Sequence, residues 1–159
     1  MWHVLHVRPR CEKKMGEYCA AHAVECYLPL REETKVYQRR RVTVEKPVFP
    51  GYVFLTFRPA ERVTVLKSNV VVRILEVVNQ EQLLHELAQI RKALEVDPTL
   101  GACAAFEQGR RVRVTAGSFQ GVEGIIQTVR GQTRVLLNVD MIGQAVAVEI
   151  DRELLELLD

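Results

Sequence analysis

The chain has 159 residues, 48% hydrophobic and 26% charged, with a formal net charge of +2. That length holds one mid-sized domain or two small ones, and that balance excludes a disordered chain. No apolar run approaches the roughly 20 residues that cross a bilayer, and His3, His6 and Arg8 interrupt the first ten positions. Neither a membrane span nor a signal peptide is therefore expected, which places the protein in the cytoplasm.

Trp2 to Val7 reads as a short apolar strand that breaks at Pro9. From Arg10 to Val24, Cys11, Met15, Tyr18, Cys19 and His22 recur at helical spacing and leave Glu12, Lys13, Lys14 and Glu17 toward solvent. Arg8, Arg10, Lys13 and Lys14 cluster where strand gives way to helix, as a solvated face or a phosphate-contacting patch. A second strand follows around Cys26 to Leu30. Between Arg31 and Lys46, valines alternate with Arg31, Lys35, Arg39, Arg40 and Arg41, the pattern of a hairpin with a basic tip. Arginines at such a tip either keep an edge from aggregating or meet a polyanion.

The stretch Pro47-Val48-Phe49-Pro50-Gly51-Tyr52-Val53-Phe54-Leu55-Thr56-Phe57 is a tight turn leading into the central strand. Alternation puts Val53, Leu55 and Phe57 on one face, toward a core, and Tyr52, Phe54 and Thr56 on the other. That second face is either the floor for a packed helix or a docking surface for another protein. Pro59 suits the first turn of a short helix ending near Lys67 and Ser68, and Val70 to Leu75 is a further strand. Asn79 and Gln82 have capping-box spacing, and Leu83, Leu87, Ile90 and Leu94 mark one helical face. The first 95 residues thus form an α+β domain, an antiparallel sheet flanked by helices.

Residues 96–105 lack periodicity and contain Pro98 and Gly101, so they are read as a linker. From 106 to 159 the pattern changes to short strands over Arg111 to Thr115, Gly124 to Val129, Thr133 to Val139 and Gln144 to Ile150, with glycine turns between them, which suggests a small closed all-β barrel. Asp151 to Asp159 is a closing strand or a helical turn, and local propensity favours the turn. Charge is also divided. Residues up to 105 carry 16 basic against 12 acidic side chains, net +4, and the remainder 6 against 8, net −2.

Cys11, Cys19, Cys26 and Cys103 make no C-x-x-C pair and are expected as reduced, largely buried thiols. Three of them share a window with His22, but structural zinc sites present closer pairs, so no metal and no cofactor are expected. No Ser-His-Asp spacing, phosphate-binding glycine loop or carboxylate pair is present, so the chain is not read as an enzyme.

Gly109-Arg110-Arg111-Val112-Arg113-Val114-Thr115-Ala116-Gly117-Ser118-Phe119-Gln120-Gly121-Val122-Glu123-Gly124-Ile125-Ile126 resembles a KOW motif, which ribosomal proteins share. With Trp2, the Phe49 to Phe54 run and the linker, nearly the whole chain resembles the NusG family of transcription elongation factors. The resemblance implies an N-terminal NGN domain (1–95), a linker (96–105) and a KOW, SH3-like barrel (106–159). It also implies binding to RNA polymerase during elongation. Carried over by position, it implies that His6, Phe49, Pro50, Tyr52 and Phe54 form the pocket for the β′ clamp helices, with His6 where the RfaH branch has an aromatic. Arg62, Thr64 and Lys67 would meet the β gate loop, although only Thr64 has a clear match. Arg8, Arg10 and Lys14 match basic positions that would contact non-template DNA or nascent RNA, and Lys13 with Arg39, Arg40 and Arg41 of the hairpin are read as further nucleic-acid contacts from their charge. In the barrel, Phe119, Met141 and Ile142 would form the loop that meets Rho or a ribosomal protein, with Ile142 where the housekeeping factor has an aromatic.

Cys26-Tyr27-Leu28-Pro29-Leu30 and the basic hairpin read closer to RfaH-like, operon-specific antiterminators than to the housekeeping factor. The second domain is expected as a barrel and not in the all-helical form that RfaH can adopt, because it is rich in Val, Ile and glycine turns. The protein is expected to act as a monomer. A ribosome-associated RNA-binding module is the alternative from another functional class.

Overall fold

The structure, a computed structural model, describes residues 1–158. Chain contacts divide it into two compact units: residues 1–30 with 49–81, and residues 31–48 with everything from Gln82 onward.

The first unit is a four-stranded antiparallel sheet. Its strands are β1 (Trp2–Val7), β2 (Glu25–Tyr27), β5 (Tyr52–Thr56) and β6 (Val71–Glu76), in the order β2-β5-β1-β6. The β1 strand is central, with His6 opposite Tyr52 on one side and opposite Arg73 on the other. Alternation along these strands decides the faces, as expected. Leu5, Val7, Val53, Leu55 and Phe57 are buried in one core with Met15 and Cys19 of helix α1 (Glu12–Ala21), and with Val24, Val65 and Val70. Each such side chain contributes roughly 1.5–3 kcal/mol on burial. A 3-10 turn at Pro59–Glu61 runs into the short helix α2 (Arg62–Leu66), so the proline sits where its missing N–H costs nothing.

Two positions on α1 differ from the periodicity. Glu12 is buried, not solvent-facing, and His22 is exposed, beyond the last helical residue. The helical period assigns a face but not what meets its ends. Glu12 lies in the first turn, where it finds a backbone donor, and His22 is the residue at which the helix stops.

In the second unit, β3 (Leu30–Tyr37, its first residue shared with the other unit) and β4 (Arg40–Pro47) form a two-stranded sheet of their own among the described residues. Gln38 and Arg39 form a two-residue turn in which both have positive φ, 47° and 65°, the type that matches strand twist. Helix α3 (Gln80–Val96) follows, with Leu83, Leu87 and Ile90 buried as expected.

Strands β7 (Ala102–Ala104), β8 (Arg111–Val114), β9 (Glu123–Val129), β10 (Gln132–Val139), β11 (Gln144–Glu149) and β12 (Leu155–Leu157) form a six-stranded antiparallel sheet in the order β12-β8-β9-β10-β11-β7.

The proposed boundaries differ from these units in three places, the first being residues 31–48, which fall in the second unit and not with the rest of 1–95. The stretch read as linker contains β7, which pairs with β11 and extends the sheet. From Gln82, α3 belongs with this sheet unit. The Gln89 side-chain oxygen accepts the Glu123 N–H at 2.8 Å, and Glu86 accepts the Asp140 N–H at 3.2 Å. At the end of the chain a 3-10 turn (Arg152–Leu154) is followed by β12, which pairs with the free edge of β8. Edge hydrogen bonding thus outweighs the local propensity that favoured a turn alone.

Candidate functional site

The turn ahead of β5 is held by three backbone groups. The Tyr52 N–H donates to the Phe49 carbonyl at 3.1 Å, the Val7 N–H to the Gly51 carbonyl at 2.8 Å, and the Gly51 N–H to Glu12 Oε2 at 2.9 Å. Gly51 has φ of +89°, a left-handed conformation that only glycine adopts without strain. This turn aims Tyr52 at the sheet face opposite the core.

Across that face runs a row of directly opposed residues, Arg73, His6 and Tyr52. Arg73 and His6 are exposed and Tyr52 is half-buried. The His6 and Tyr52 rings stack with centroids 5.4 Å apart and planes inclined by 24°. The next row is Leu75, Val4, Phe54 and Tyr27. Here Val4 and Phe54 are fully buried, and Phe49, 1% exposed, meets Phe54 edge-on at 6.4 Å. Of the expected pocket residues, His6, Tyr52 and the exposed Pro50 lie at the surface, whereas Phe49 and Phe54 support it from inside. Arg73 was missed. An isolated arginine in a strand carries no signal until the pairing register places it beside His6.

Arg62 and Lys67 are exposed on and just after α2, and Thr64 is half-buried with its carbonyl hydrogen-bonded by the Tyr18 hydroxyl. Val63 and Leu66, 60% and 46% exposed, give the same short helix an apolar surface that its polar residues had hidden. Arg8, Arg10, Lys13 and Lys14 are all exposed at the β1–α1 junction, where Arg10 takes a positive φ of 65°. Arg39, Arg40 and Arg41 are exposed in the other unit, at the β3–β4 turn.

In the sheet unit, Met141 and Ile142 form a 3-10 turn with Asp140, closed by left-handed Gly143. Met141 is exposed and Ile142 half-buried. Phe119 lines a separate shallow cavity with Thr128, Gly131, Ile150 and Leu154, which neither Met141 nor Ile142 lines. Beside Asp140, burial and the neighbouring carboxylate raise the Glu86 carboxyl to about 7, against the opposing pull of the Asp140 N–H.

Among the described residues, no group of three or more His, Cys, Asp and Glu is arranged to hold a metal, and no helix is long and apolar enough to cross a membrane. Cys19 is buried, while Cys11, Cys26 and Cys103 are half-buried; all four are free thiols.

The structure is similar in fold to Thermotoga maritima NusG, with a TM-score of 0.52 at 17% identity over 99% of this chain and 97% of that one. A structure of the MjSpt4:Spt5 complex aligns at a TM-score of 0.34 and 13% identity, over 100% of this chain and 97% of that one. The family model described as NusG, transcription termination factor nusG, matches residues 1–93. With that match covering more than half of its length, the chain belongs to the NusG family of transcription factors.

Proposed function

We propose that this protein binds RNA polymerase through the sheet face around His6 and Tyr52 and biases the enzyme against pausing and termination. One observation carries the reading: the Arg73, His6 and Tyr52 row is surface-accessible on a sheet whose other face is committed to the core. An aromatic pair flanked by a guanidinium suits a helical tip bearing both apolar and acidic side chains, the β′ clamp helices in this reading. Pro50 borders the contact, and Phe49 and Phe54 hold Tyr52 in place.

Arg62, Thr64 and Lys67 would meet the β gate loop, assisted by Val63 and Leu66. The Arg8, Arg10, Lys13 and Lys14 cluster and the Arg39–Arg41 tip would meet nucleic acid. In this scheme residues 1–95 are the polymerase-binding domain, 96–105 the connector and 106–159 a KOW barrel, and the protein acts as a monomer in the cytoplasm.

No bond is made or broken. Binding energy is applied to a conformational equilibrium of the polymerase, and a bias of about 1.4 kcal/mol changes its populations tenfold.

Operon-specific antitermination in the manner of RfaH is the favoured branch. The apolar turn at Met141 and Ile142 supports a second branch, in which the KOW domain engages Rho or a ribosomal protein. Transcription in vitro on a template with a terminator, with and without Rho, tests both. Read-through supports the first branch, enhanced Rho-dependent termination the second, and no change in pausing or termination overturns the proposal.

A further inference from the structure

We propose that the β3–β4 hairpin is a ribbon that enters a groove of B-form duplex DNA, with its two faces meeting opposite walls. The proposal rests on the nucleic-acid role of Arg39–Arg41 given above and names the form of nucleic acid.

The Thr34 and Thr43 hydroxyls lie 3.3 Å apart, so these residues face each other across the ribbon. The two-residue turn between Tyr37 and Arg40 closes the same register. Alternation then puts Thr34, Val36, Arg41 and Thr43 on one face and Lys35, Tyr37, Arg40 and Val42 on the other, with Arg39 in the turn. Each face therefore carries one arginine next to the turn, Arg41 on the first and Arg40 on the second.

Acidic residues are confined to the base. There Glu33 pairs with Lys46 at 2.8 Å and with Arg31 at 3.7 Å, and Lys35 lies beside that pair, while Arg39, Arg40 and Arg41 occupy a tip free of carboxylates. All three tip arginines are exposed, as are Val36 at 74%, Tyr37 at 68% and Val42 at 43%.

A ribbon that lies flat on an acidic protein needs its charge on one face. Charge on both faces suits a slot with anionic walls. The major groove of B-DNA, about 12 Å wide and about 8.5 Å deep, admits a two-stranded ribbon. The three-residue arms beyond Thr34 and Thr43, residues 35–37 and 40–42, extend about 10 Å, enough to bring the turn to the groove floor. The exposed Val and Tyr side chains then meet thymine methyls and sugars. Single strands call for aromatic platforms, and the ribbon has only Tyr37; the A-form RNA groove is too narrow.

The test uses the full chain and fluorescence anisotropy with a 20-bp DNA duplex, a 20-nucleotide single strand and a 20-bp RNA duplex, from 50 to 200 mM salt. The DNA duplex should bind at least about tenfold tighter than the other two. The triple variant R39A/R40A/R41A should lower the slope of log affinity against log salt by about 3, since each lost phosphate contact removes roughly 0.9. R40E and R41E, on opposite faces, should each weaken duplex binding about tenfold. The same measurements in an R8A/R10A/K14A background isolate the hairpin from the other basic cluster.

The inference is overturned by undetectable duplex binding at 50 mM salt or by equal or tighter binding to single strands or RNA. It is equally overturned by an unchanged salt slope in the triple variant, or by an effect from only one of the two opposed arginines. Thermal melts confirm that these tip variants fold. Failure of the polymerase reading is separable: Tyr52→Ala should reduce polymerase co-purification and leave duplex binding intact, and the triple variant should do the reverse.

Discussion

Glu12 Oε2 accepts the Gly51 N–H at 2.9 Å, so the first turn of α1 holds the turn that leads into β5. The bond joins two segments 39 positions apart in sequence, and Glu12 is only 6% exposed. Removing the carboxylate leaves a shielded N–H without a partner. Glu12→Ala should destabilise the fold by about 1.5–3 kcal/mol, and Glu12→Gln, which keeps an acceptor, by clearly less. Chemical denaturation of the two variants measures the difference. Equal losses would show that the volume of the side chain matters and its acceptor does not.

Tyr52 and Phe54 are neighbours on one strand face, yet their variants should fail differently. Phe54 is fully buried, so Phe54→Ala should cost about 3–5 kcal/mol of stability. Half-buried Tyr52 stacks on His6, and Tyr52→Ala should weaken polymerase binding by roughly 1–3 kcal/mol while the melting temperature changes little. Calorimetric melting together with polymerase pull-down separates the two effects. Unchanged binding by a folded Tyr52→Ala variant would remove the face from the docking site.

Gly124 shows how tightly β9 and β10 approach. A Cβ built there would lie 2.5 Å from the Leu136 carbonyl oxygen and 2.7 Å from Val135 Cγ1. The first is backbone and cannot swing away. Gly124→Ala should therefore destabilise the six-stranded sheet by about 1–3 kcal/mol, read as earlier loss of amide protection on β9 and β10 in hydrogen exchange.

Glu86 makes the second unit sensitive to pH. Its folded carboxyl, at about 7, lies above the ordinary 4.5, so between those values the folded state holds a proton that the unfolded state has released. Unfolding free energy should consequently fall as pH rises from about 4.5 to 7. Partial solvent access limits the loss to roughly 1–2 kcal/mol. Glu86→Gln should flatten that stretch of the stability–pH curve, measured by urea denaturation at several pH values. A slope that survives the substitution would assign the effect to another group.

Much was legible because it depends on period and punctuation. The alternation through Val53, Leu55 and Phe57 identified the core face of β5, the glycines marked the turns of the later strands, and Leu83, Leu87 and Ile90 marked the buried side of α3. The motif around Gly109 to Ile126 and the run from Phe49 to Phe54 together pointed to the family that the match over residues 1–93 establishes.

Less legible was anything that required two distant segments to meet. The burial of Glu12 depends on an N–H 39 positions away, the place of Arg73 on the strand register beside His6, and the role of Ala102–Ala104 on a free edge of β11.

Taken alone, the order of residues determined which segments become strands and helices and which side of each is apolar, because those properties arise within a few neighbouring positions. The tertiary structure decided which of the aromatic residues stay at the surface, which carboxylates are shielded and which edges are paired. Those outcomes depend on desolvation and on partners brought together only when the chain closes on itself.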